Sequence, residues 1–450
     1  MPLKYQFAAR EPLAERWSKV MSDITASPRG PRIYNLFPLI AGPFPRWTPH
    51  LERARRMEFD WVFINPFHLT GFSASLYSIK DYYAMNPRLV DPAAGPPEAQ
   101  LRRMIETARE LGLKVMMDLV INHTAFDSPL VAEHPSWYKR GPGGKPVHPG
   151  AQDGDRRVTW GDLFEIDNSS DRDGLWRYWD NLAEYYAAMG VAGFRCDAAY
   201  KVPSELWRTL IGNIKRAHPR ALFFAESLGC PFEDTVRLAQ SGFDFIFNSS
   251  KWWDFTAPWC LEQYRLTSPI VPSVSFPESH DTERLAAELN GDRQAVKTRY
   301  AFAALFSTGL MMPIGFEYGF RRRLNVVKTR VEDWEAPAWD ICDFVAAVNR
   351  LKVSRRVFNA EGPIDAIDLG NPNLFALVKW SKDRRERTSI ILNKDRRNQQ
   401  SFRTQHLGQF LAGTAGVEDL SPDGGLMHTD DFQACFVKPS GFHVLWAQGV

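Results

Sequence analysis

Eight short apolar runs, separated by amphipathic stretches long enough to form helices, constrain the fold of this chain more than any other feature. Alternation of strand-like and helix-like segments is typical of a parallel sheet with crossover helices. Eight such strands close into a barrel, so we predict an α/β fold of the (β/α)₈ TIM barrel type. The runs are IYNLF (33–37), WVFINPF (61–67), KVMMDLV (114–120), GFRCD (193–197), LFFAES (222–227), FDFIFN (243–248), VSFPESHD (274–281) and LMMPIGFE (310–317).

The spacing between the runs predicts an insertion and a second domain. A polar segment at 124–172 follows the third run and is too long for an ordinary loop, so we expect a small insertion over the top of the barrel. Near residue 350 the pattern changes to strand-like pieces between turn residues, which predicts a C-terminal antiparallel β-domain. The predicted boundaries are 1–29 for an N-terminal segment, 30–350 for the barrel with its insertion, and 351–450 for the β-domain.

Composition narrows the classes of partner. A formal net charge of +2 gives no field that would attract nucleic acid, and no stretch approaches the roughly 20 apolar residues that a membrane span needs. The N-terminal stretch MPLKYQFAAREPLAERW carries charges every few positions and lacks the apolar centre of a secretory signal, which predicts a cytoplasmic protein. The cysteines number five, and an odd number argues against a disulfide framework.

Polar and ionisable side chains stand at the ends of four runs, where a barrel of this kind builds its active site. Because the carboxyl ends of the strands meet at one mouth of the barrel, we expect these side chains to lie close together. They are Asp118, Asn122 and His123 after the third run, Arg195 and Asp197 in the fourth, Glu226 in the fifth, and His280 and Asp281 in the seventh.

Asp197 and Glu226 have the residue types that cleavage or transfer of a glycosidic bond requires. That reaction needs one carboxyl group to protonate the leaving oxygen and one carboxylate to attack or stabilise the sugar. Arg195 lies two residues before Asp197, faces the same side of the strand, and favours the ionised carboxylate. Glu226 follows the apolar stretch LFFA, and apolar surroundings raise a carboxyl pKa. We therefore predict Asp197 as the nucleophile and Glu226 as the acid/base.

The remaining residues at the mouth have more than one interpretation. Asp281, His280 and His123 are suited to holding hydroxyl groups around the reacting sugar. The same residue types also bind metal ions, although the sequence shows neither an HxH nor an HExxH spacing here. A purely structural role for these side chains is the other alternative.

Four segments resemble the signature regions of the α-amylase family of glycoside hydrolases and transglycosylases, glycoside hydrolase family 13. The segments are DLVINH (118–123), GFRCDAA (193–199), FFAES (223–227) and SHD (279–281). The resemblance implies that Asp197 is the nucleophile, that Glu226 is the acid/base, and that Asp281 is a third carboxylate that stabilises the transition state.

The segment from Tyr77 to Tyr83 resembles the stretch that follows strand two in that family. The resemblance implies that Tyr77 stacks on the donor sugar. It also implies that His123, Arg195 and His280 line the same donor subsite.

Within the family, HTAFDSPLVAEHPSWYKR (123–140) resembles the maltosyltransferases that extend α-1,4-glucan from maltose 1-phosphate. Those enzymes carry Asn-Pro-His after the nucleophile, whereas this chain has Ala-Ala-Tyr200-Lys201, so the donor stays open. Calcium-dependent amylases carry Lys-His in that stretch, and we therefore predict no metal and no other cofactor. Asn122 is either a calcium ligand or a residue that orients its loop by hydrogen bonding.

Trp252 and Trp253 follow the sixth run and should lie at the barrel mouth. Exposed indoles suit the apolar faces of glucose, which predicts an acceptor subsite. The alternative is packing against the loop after strand seven, because tryptophan is mostly buried.

These features predict a retaining α-glucan-active enzyme that works through a covalent glycosyl-enzyme intermediate and transfers glucosyl or maltosyl units. The predicted partners are an α-glucan or maltooligosaccharide, with maltose 1-phosphate as one candidate donor. An α-amylase or α-glucosidase-type hydrolase is the first alternative, and an inactive carbohydrate-binding homologue is the second. The oligomeric state is left open.

Overall fold

The computed structural model describes residues 30–153 and 156–449. The predicted N-terminal segment, 1–29, lies outside the described residues, as does the stretch on which the prediction of a cytoplasmic location rests. None of the helices in the described ranges combines the length and the apolar character that crossing a membrane requires.

Eight parallel strands close into a barrel in which each strand pairs with its neighbours in chain order. Helices cover one face of each strand and the barrel interior covers the other, so every residue of the first, second, fourth and eighth strands is buried. Each strand overlaps one of the eight predicted runs, and the predicted fold class is confirmed. The strands are β1 (Arg32–Leu36), β2 (Trp61–Ile64), β3 (Lys114–Leu119), β4 (Gly193–Cys196), β5 (Leu222–Ala225), β6 (Phe245–Phe247), β7 (Ser273–Ser275) and β8 (Gly309–Pro313).

A helix follows each barrel strand. The helices bury an apolar stripe against the barrel; in the second, Leu101, Met104, Ile105 and Ala108 are all buried at helical spacing. They are α1 (Thr48–Arg56), α2 (Pro97–Glu110), α3 (Leu175–Met189), α4 (Ser204–Ala217), α5 (Phe232–Ala239), α6 (Trp259–Thr267), α7 (Arg293–Phe306) and α8 (Cys342–Ser354).

Two excursions rise over the carboxyl ends of the strands. After β2, the strands His68–Thr70 and Ile79–Met85 form a hairpin. After β3, His123–Ala125 pairs with Leu163–Glu165, and the small insertion predicted at this point is confirmed. The insertion also contains the helix Pro129–Glu133 and a second hairpin of Gly150–Asp153 with Arg156–Thr159.

An antiparallel β-domain follows α8, as predicted. Its main sheet has the order β9-β10-β11-β16-β13, and a smaller sheet has the order β12-β15-β14. The strands are β9 (Ile364–Ile367), β10 (Leu374–Trp380), β11 (Glu386–Asn393), β12 (Gln400–Arg403), β13 (Thr414–Asp419), β14 (Met427–His428), β15 (Ala434–Val437) and β16 (Phe442–Gly449).

Trp253 joins the barrel to the β-domain. Its side chain is 2% exposed, and its ring centroid lies 4.9 Å from that of Phe375 in β10 and 5.8 Å from that of Phe302 in α7. The indole N–H donates to the carbonyl of Ala257 at 2.6 Å, so the polar atom is satisfied inside this aromatic cluster.

Two buried charged residues, Glu361 and Lys379, also connect the barrel to the β-domain. Glu361 accepts hydrogen bonds from the backbone N–H groups of Ser273 and Thr308, at the amino ends of β7 and β8. The ammonium of Lys379 donates to the carbonyl of Phe306, and burial lowers the pKa of that lysine to about 8. Polar groups buried in this way must find partners, so they fix how the two domains meet.

We expect Trp253→Ala to lower the free energy of unfolding by about 3–5 kcal/mol, because it leaves a cavity between α7 and the β-domain. Chemical denaturation monitored by circular dichroism measures this change. Trp252→Ala is the matched control, because that neighbouring indole is 51% exposed. Equal losses in both variants would contradict the packing role of Trp253.

Candidate active site

The barrel register brings the functional side chains of β3, β4 and β5 together. Arg195 of β4 lies opposite Asp118 of β3. Asp197 and Glu226 come directly after the last residues of β4 and β5. The N–H of Glu226 donates to the carbonyl of Cys196 at 3.1 Å, so the register continues up to the carboxyl groups.

Arg195 is the centre of the site. Its Nη1 donates to both oxygens of Asp118, at 2.9 and 3.0 Å, and to Oδ1 of Asp197 at 2.7 Å. Its Nη2 lies 3.8 Å from Oε2 of Glu226. Burial opposes the charge of Arg195, but the surrounding carboxylates outweigh it and raise the pKa of the guanidinium. One permanently charged group therefore orients three carboxyl groups.

Asn122 holds the predicted nucleophile from its other side. Its Nδ2 donates to the backbone carbonyl of Asp197 at 2.9 Å and to Oδ2 of the same residue at 3.1 Å. Its Oδ1 contacts Nδ1 of His123. Both ends of the Asn122 amide are thus engaged by protein atoms, and they orient Asp197 and the loop after β3.

Glu226 is held in an apolar setting. Burial is the main cause that raises its pKa to about 7, with the charges of Asp197 and Asp281 adding to the rise and Arg195 opposing it. The N–H of Ala198 donates to Oε2 at 2.7 Å. Ala198 has a φ of 38°, a left-handed conformation that residues other than glycine rarely adopt. The backbone is therefore strained at Ala198, the residue whose N–H positions the Glu226 carboxyl group.

Tyr77 connects the hairpin after β2 to both sides of the site. Its hydroxyl donates to Oδ2 of Asp118 at 2.7 Å and contacts Nε2 of His280 at 2.7 Å. The rings of Tyr77 and His280 stack, with centroids 5.5 Å apart and an angle of 7° between their planes. Nδ2 of Asn65 also donates to the Tyr77 hydroxyl, at 3.0 Å. Since the single hydroxyl proton points to Asp118, Nε2 of His280 is the donor in this contact.

Asp281 differs from Glu226 in its protonation. The Asp281 side chain is 59% exposed, and although the surrounding protein favours its neutral form, His280, Arg195 and Arg323 together lower its pKa to about 2. Its Oδ2 lies 3.1 Å from Nε2 of His280. At neutral pH the site therefore presents an ionised Asp281 beside a Glu226 that retains a proton in a large fraction of molecules.

His123 is buried beside Asn122 and Tyr77. Its Nε2 contacts the backbone carbonyl of Tyr77 at 3.0 Å, and its Nδ1 contacts Asn122. Burial lowers the pKa of His123. Both ring nitrogens are occupied by protein oxygens, so His123 joins the loop after β3 to the Tyr77 hairpin.

A cavity with about 250 Å³ of space outside the protein atoms, part of it open to solvent, lies at this mouth of the barrel. Of the predicted residues, Arg195, Glu226, His280 and Asp281 line it. Apolar side chains form much of the wall, and none of them was predicted from the sequence. They are Phe63, Leu228, Phe247, Phe276 and Met311.

The two tryptophans after β6 have different surroundings. Trp252 is half exposed, and its ring meets Phe276 of the cavity wall edge to face at 6.1 Å, so it lies at the rim. Trp253 is enclosed by α7 and the β-domain, and no face of its indole is open to a sugar. The predicted acceptor contact of Trp253 is therefore dropped, because the apolar contacts of that ring are made within the core.

Two arginines that were not predicted from the sequence, Arg284 and Arg323, stabilise the loop that carries His280 and Asp281. Glu278 and Arg284 flank that loop and form an ion pair at 2.7 Å in which each side chain is 1% exposed. Nη2 of Arg323 donates to the backbone carbonyl of Asp281 at 2.7 Å. Opposite charges on either side of the SHD segment were the available signal for the first contact.

Within the described residues, no group of three or more His, Cys, Asp or Glu side chains is arranged to hold a metal ion.

Parts of the sequence match a protein family model and several known enzymes. Residues 32–139 match a family model described as the glucanotransferase domain of glycogen debranching enzyme. An α-1,4-glucan:maltose-1-phosphate maltosyltransferase from Burkholderia pseudomallei is 27% identical over 74% of this chain and 30% of its own length. One from Methylacidiphilum infernorum is 25% identical over 83% of this chain and 59% of its own length. The chain thus spans 30% and 59% of the lengths of these two relatives.

The fold has a match among solved structures. An α-amylase from Lactobacillus plantarum superimposes with a TM-score of 0.73 at 20% identity, covering 92% of this chain and 98% of the other. In sequence the chain is similar to these maltosyltransferases, and in fold it is similar to an α-amylase.

Proposed function

We propose that this chain is a retaining α-glucan-active enzyme in which Asp197 is the nucleophile and Glu226 is the acid/base. The observation that carries the proposal is the position of Arg195, which contacts Asp197 at 2.7 Å and lies 3.8 Å from Glu226. Two carboxyl groups on adjacent strands, both facing one guanidinium, suit the separation of about 5–5.5 Å that retaining enzymes use.

The reaction proceeds in two displacements. Asp197 attacks the anomeric carbon of the donor while Glu226 gives its proton to the leaving oxygen, and a covalent glycosyl-enzyme forms. Glu226, now ionised, takes the proton of an acceptor hydroxyl, whose oxygen attacks the same carbon and releases Asp197. The ionised Asp281 stabilises the positive charge that develops on the sugar in both transition states.

Transfer to a sugar is the favoured second step. The sequence relatives are named for transfer of maltosyl units between maltose 1-phosphate and α-1,4-glucan, and we extend that donor and acceptor class to this chain. The apolar cavity wall of Phe63, Phe247 and Phe276 disfavours water near the intermediate. Trp252 at the rim offers an apolar face that holds the acceptor ring in position.

Hydrolysis is the second candidate function. One structural neighbour is an α-amylase, and the segment SHD and the proposed catalytic carboxyl groups suit either reaction. The two functions share the first displacement and differ only in whether water or a sugar hydroxyl completes the second.

We expect Asp197→Ala and Glu226→Gln each to lower kcat/KM by at least about 100-fold, because each removes a group that acts in the transition state. Product release from maltooligosaccharides, measured by chromatography, gives the rate. Circular dichroism spectra that match the unmodified protein at the assay temperature serve as the control for folding. Near-normal activity in either variant would contradict the assigned roles.

The pH dependence should have a descending limb near pH 7. Glu226 must carry a proton to protonate the leaving oxygen, and its pKa of about 7 means that kcat/KM falls as the pH rises above that value. A pH series with a maltooligosaccharide donor measures the limb. With α-maltosyl fluoride, whose leaving group needs little protonation, the limb should weaken. An equally steep limb with both donors would contradict the role of Glu226.

Added acceptor should change the products. If transfer is favoured, maltoheptaose or glycogen will increase donor consumption and yield longer chains, because the acceptor competes with water for the intermediate. Chromatography of the products, with maltose 1-phosphate and maltooligosaccharides as separate donors, tests this. Fast release of free sugar that is indifferent to acceptor would make the protein a hydrolase.

A further inference from the structure

Lys201 connects the loop after β4 to the hairpin formed by Gly150–Asp153 and Arg156–Thr159, which we call the insertion hairpin. The ammonium of Lys201 donates to the carbonyl of Gly150 at 3.1 Å and lies 5.1 Å from the ring centroid of Trp160. Gly150 is the first residue of the hairpin, and Trp160 directly follows its last strand. Lys201 therefore contacts the chain on both sides of the hairpin base.

The backbone of Lys201 belongs to the turn that holds Glu226. Lys201 ends the short 3₁₀ helix Ala199–Lys201, and its N–H donates to the carbonyl of Ala198 at 2.9 Å. The N–H of Ala198 donates to Oε2 of Glu226 at 2.7 Å, and the N–H of Ala199 donates to the backbone carbonyl of Glu226 at 3.2 Å. Both the side chain and the backbone of Glu226 thus depend on the position of this turn.

The turn is held from two sides. Ala198 has a φ of 38°, and a residue in such a conformation keeps it only when the surrounding structure fixes it. On the barrel side, the indole N–H of Trp207 in α4 donates to the carbonyl of Ala199 at 2.9 Å. On the side of the insertion, the corresponding contacts are those of the Lys201 ammonium with Gly150 and Trp160.

The two partners of the Lys201 ammonium are neutral. A carbonyl oxygen accepts a hydrogen bond from the cation, and the face of an indole attracts it electrostatically. Neither partner titrates, so the contacts persist over the pH range in which Glu226 changes its protonation. Arginine can make both contacts in place of lysine, whereas methionine has a side chain of similar length without charge or donor.

We propose that Lys201 is a positioning residue, which ties the insertion hairpin to the turn at Ala198 and so orients the Glu226 carboxyl group for proton transfer. Lys201 acts through the N–H of Ala198 and does not touch the reacting atoms. The inference rests on the proposed function and adds the insertion to the parts of the chain that control acid/base catalysis.

Lys201→Met tests the proposal. Its kcat/KM for maltoheptaose should fall roughly 10-fold or more, because a displaced general acid transfers its proton less efficiently. With α-maltosyl fluoride, whose leaving group needs little protonation, kcat/KM should fall less than about 3-fold. The descending limb of the pH profile should move to higher pH, because the Ala198 N–H favours ionised Glu226 and is weakened in the variant. Lys201→Arg should restore all three quantities.

Two further variants separate positioning from other effects of the substitution. Trp160→Leu keeps the charge of Lys201 but removes the ring that it contacts, so the limb should move in the same direction by a smaller amount. Lys139→Met is the matched control, because that lysine of the insertion pairs with Glu165 and is 44% exposed, and its kcat/KM should be unchanged. These substitutions leave in place the ionisable groups whose charges act on or respond to Glu226, which are Arg195, Asp197, Tyr200, Cys230 and Asp281.

Limited proteolysis measures the contact itself. The insertion hairpin contains Arg156 and Arg157, and trypsin should cleave after them faster in Lys201→Met than in the unmodified protein. Circular dichroism spectra of the variants at the assay temperature serve as the control for folding. Equal cleavage rates would overturn the proposed tie between Lys201 and the hairpin.

The kinetic outcomes distinguish failure of this inference from failure of the proposed function. Unchanged kcat/KM for maltoheptaose in Lys201→Met, or an equal fall for both donors, would contradict the positioning role. A fall for maltoheptaose with the limb still near pH 7 would assign Lys201 to direct contact with the leaving sugar instead. Absence of turnover of both donors by the unmodified protein would contradict the proposed function, and the catalytic role of Lys201 with it.

Discussion

The ion cluster of Arg195 with Asp118 and Asp197 is the interaction on which the rest of the site depends. Arg195 and Asp118 are enclosed by the barrel, with exposed side-chain fractions of 5% and 0%. Charges in such surroundings are tolerated only when they are paired with good geometry, and removal of one partner leaves the others uncompensated. The pairing requires β3 and β4 to stay in register, because Arg195 and Asp118 are directly opposed across the two strands. The strand register that closes the barrel therefore also sets the geometry of the site.

The charges around Arg195 contribute to different pKa values, and therefore different protonation states, for the carboxyl groups of the site. Glu226 lies against apolar walls and at a longer distance from the guanidinium, and its pKa rises to about 7. Asp281 receives the charges of His280, Arg195 and Arg323, and its pKa falls to about 2. The backbone strain at Ala198 and the buried pair of Glu278 and Arg284 keep these carboxyl groups in place. Catalysis by two carboxyl groups with different tasks needs this kind of separation.

Much of this arrangement was predictable from local pattern. The eight barrel strands are nearly continuous apolar runs because both of their faces are buried, and the polar residue that ends a run marks the mouth of the barrel. The cavity wall was not predictable. Phe63 and Met311 face the interior while their neighbours face the helices, and since both sets are apolar the sequence carries no signal that separates them. Trp252 and Trp253 are adjacent and identical in type, and only the contacts of Trp253 with α7 and the β-domain distinguish their roles.

In the proposed mechanism, Asp197 forms a covalent bond to the donor sugar. Glu226→Gln incubated with α-maltosyl fluoride tests it most directly, because this donor forms the intermediate without strong acid assistance while the missing base slows its release. Peptide mass spectrometry after rapid quenching at low pH should locate one glycosyl group on Asp197. Donor consumption without any adduct, or an adduct on another carboxyl group, would contradict the account.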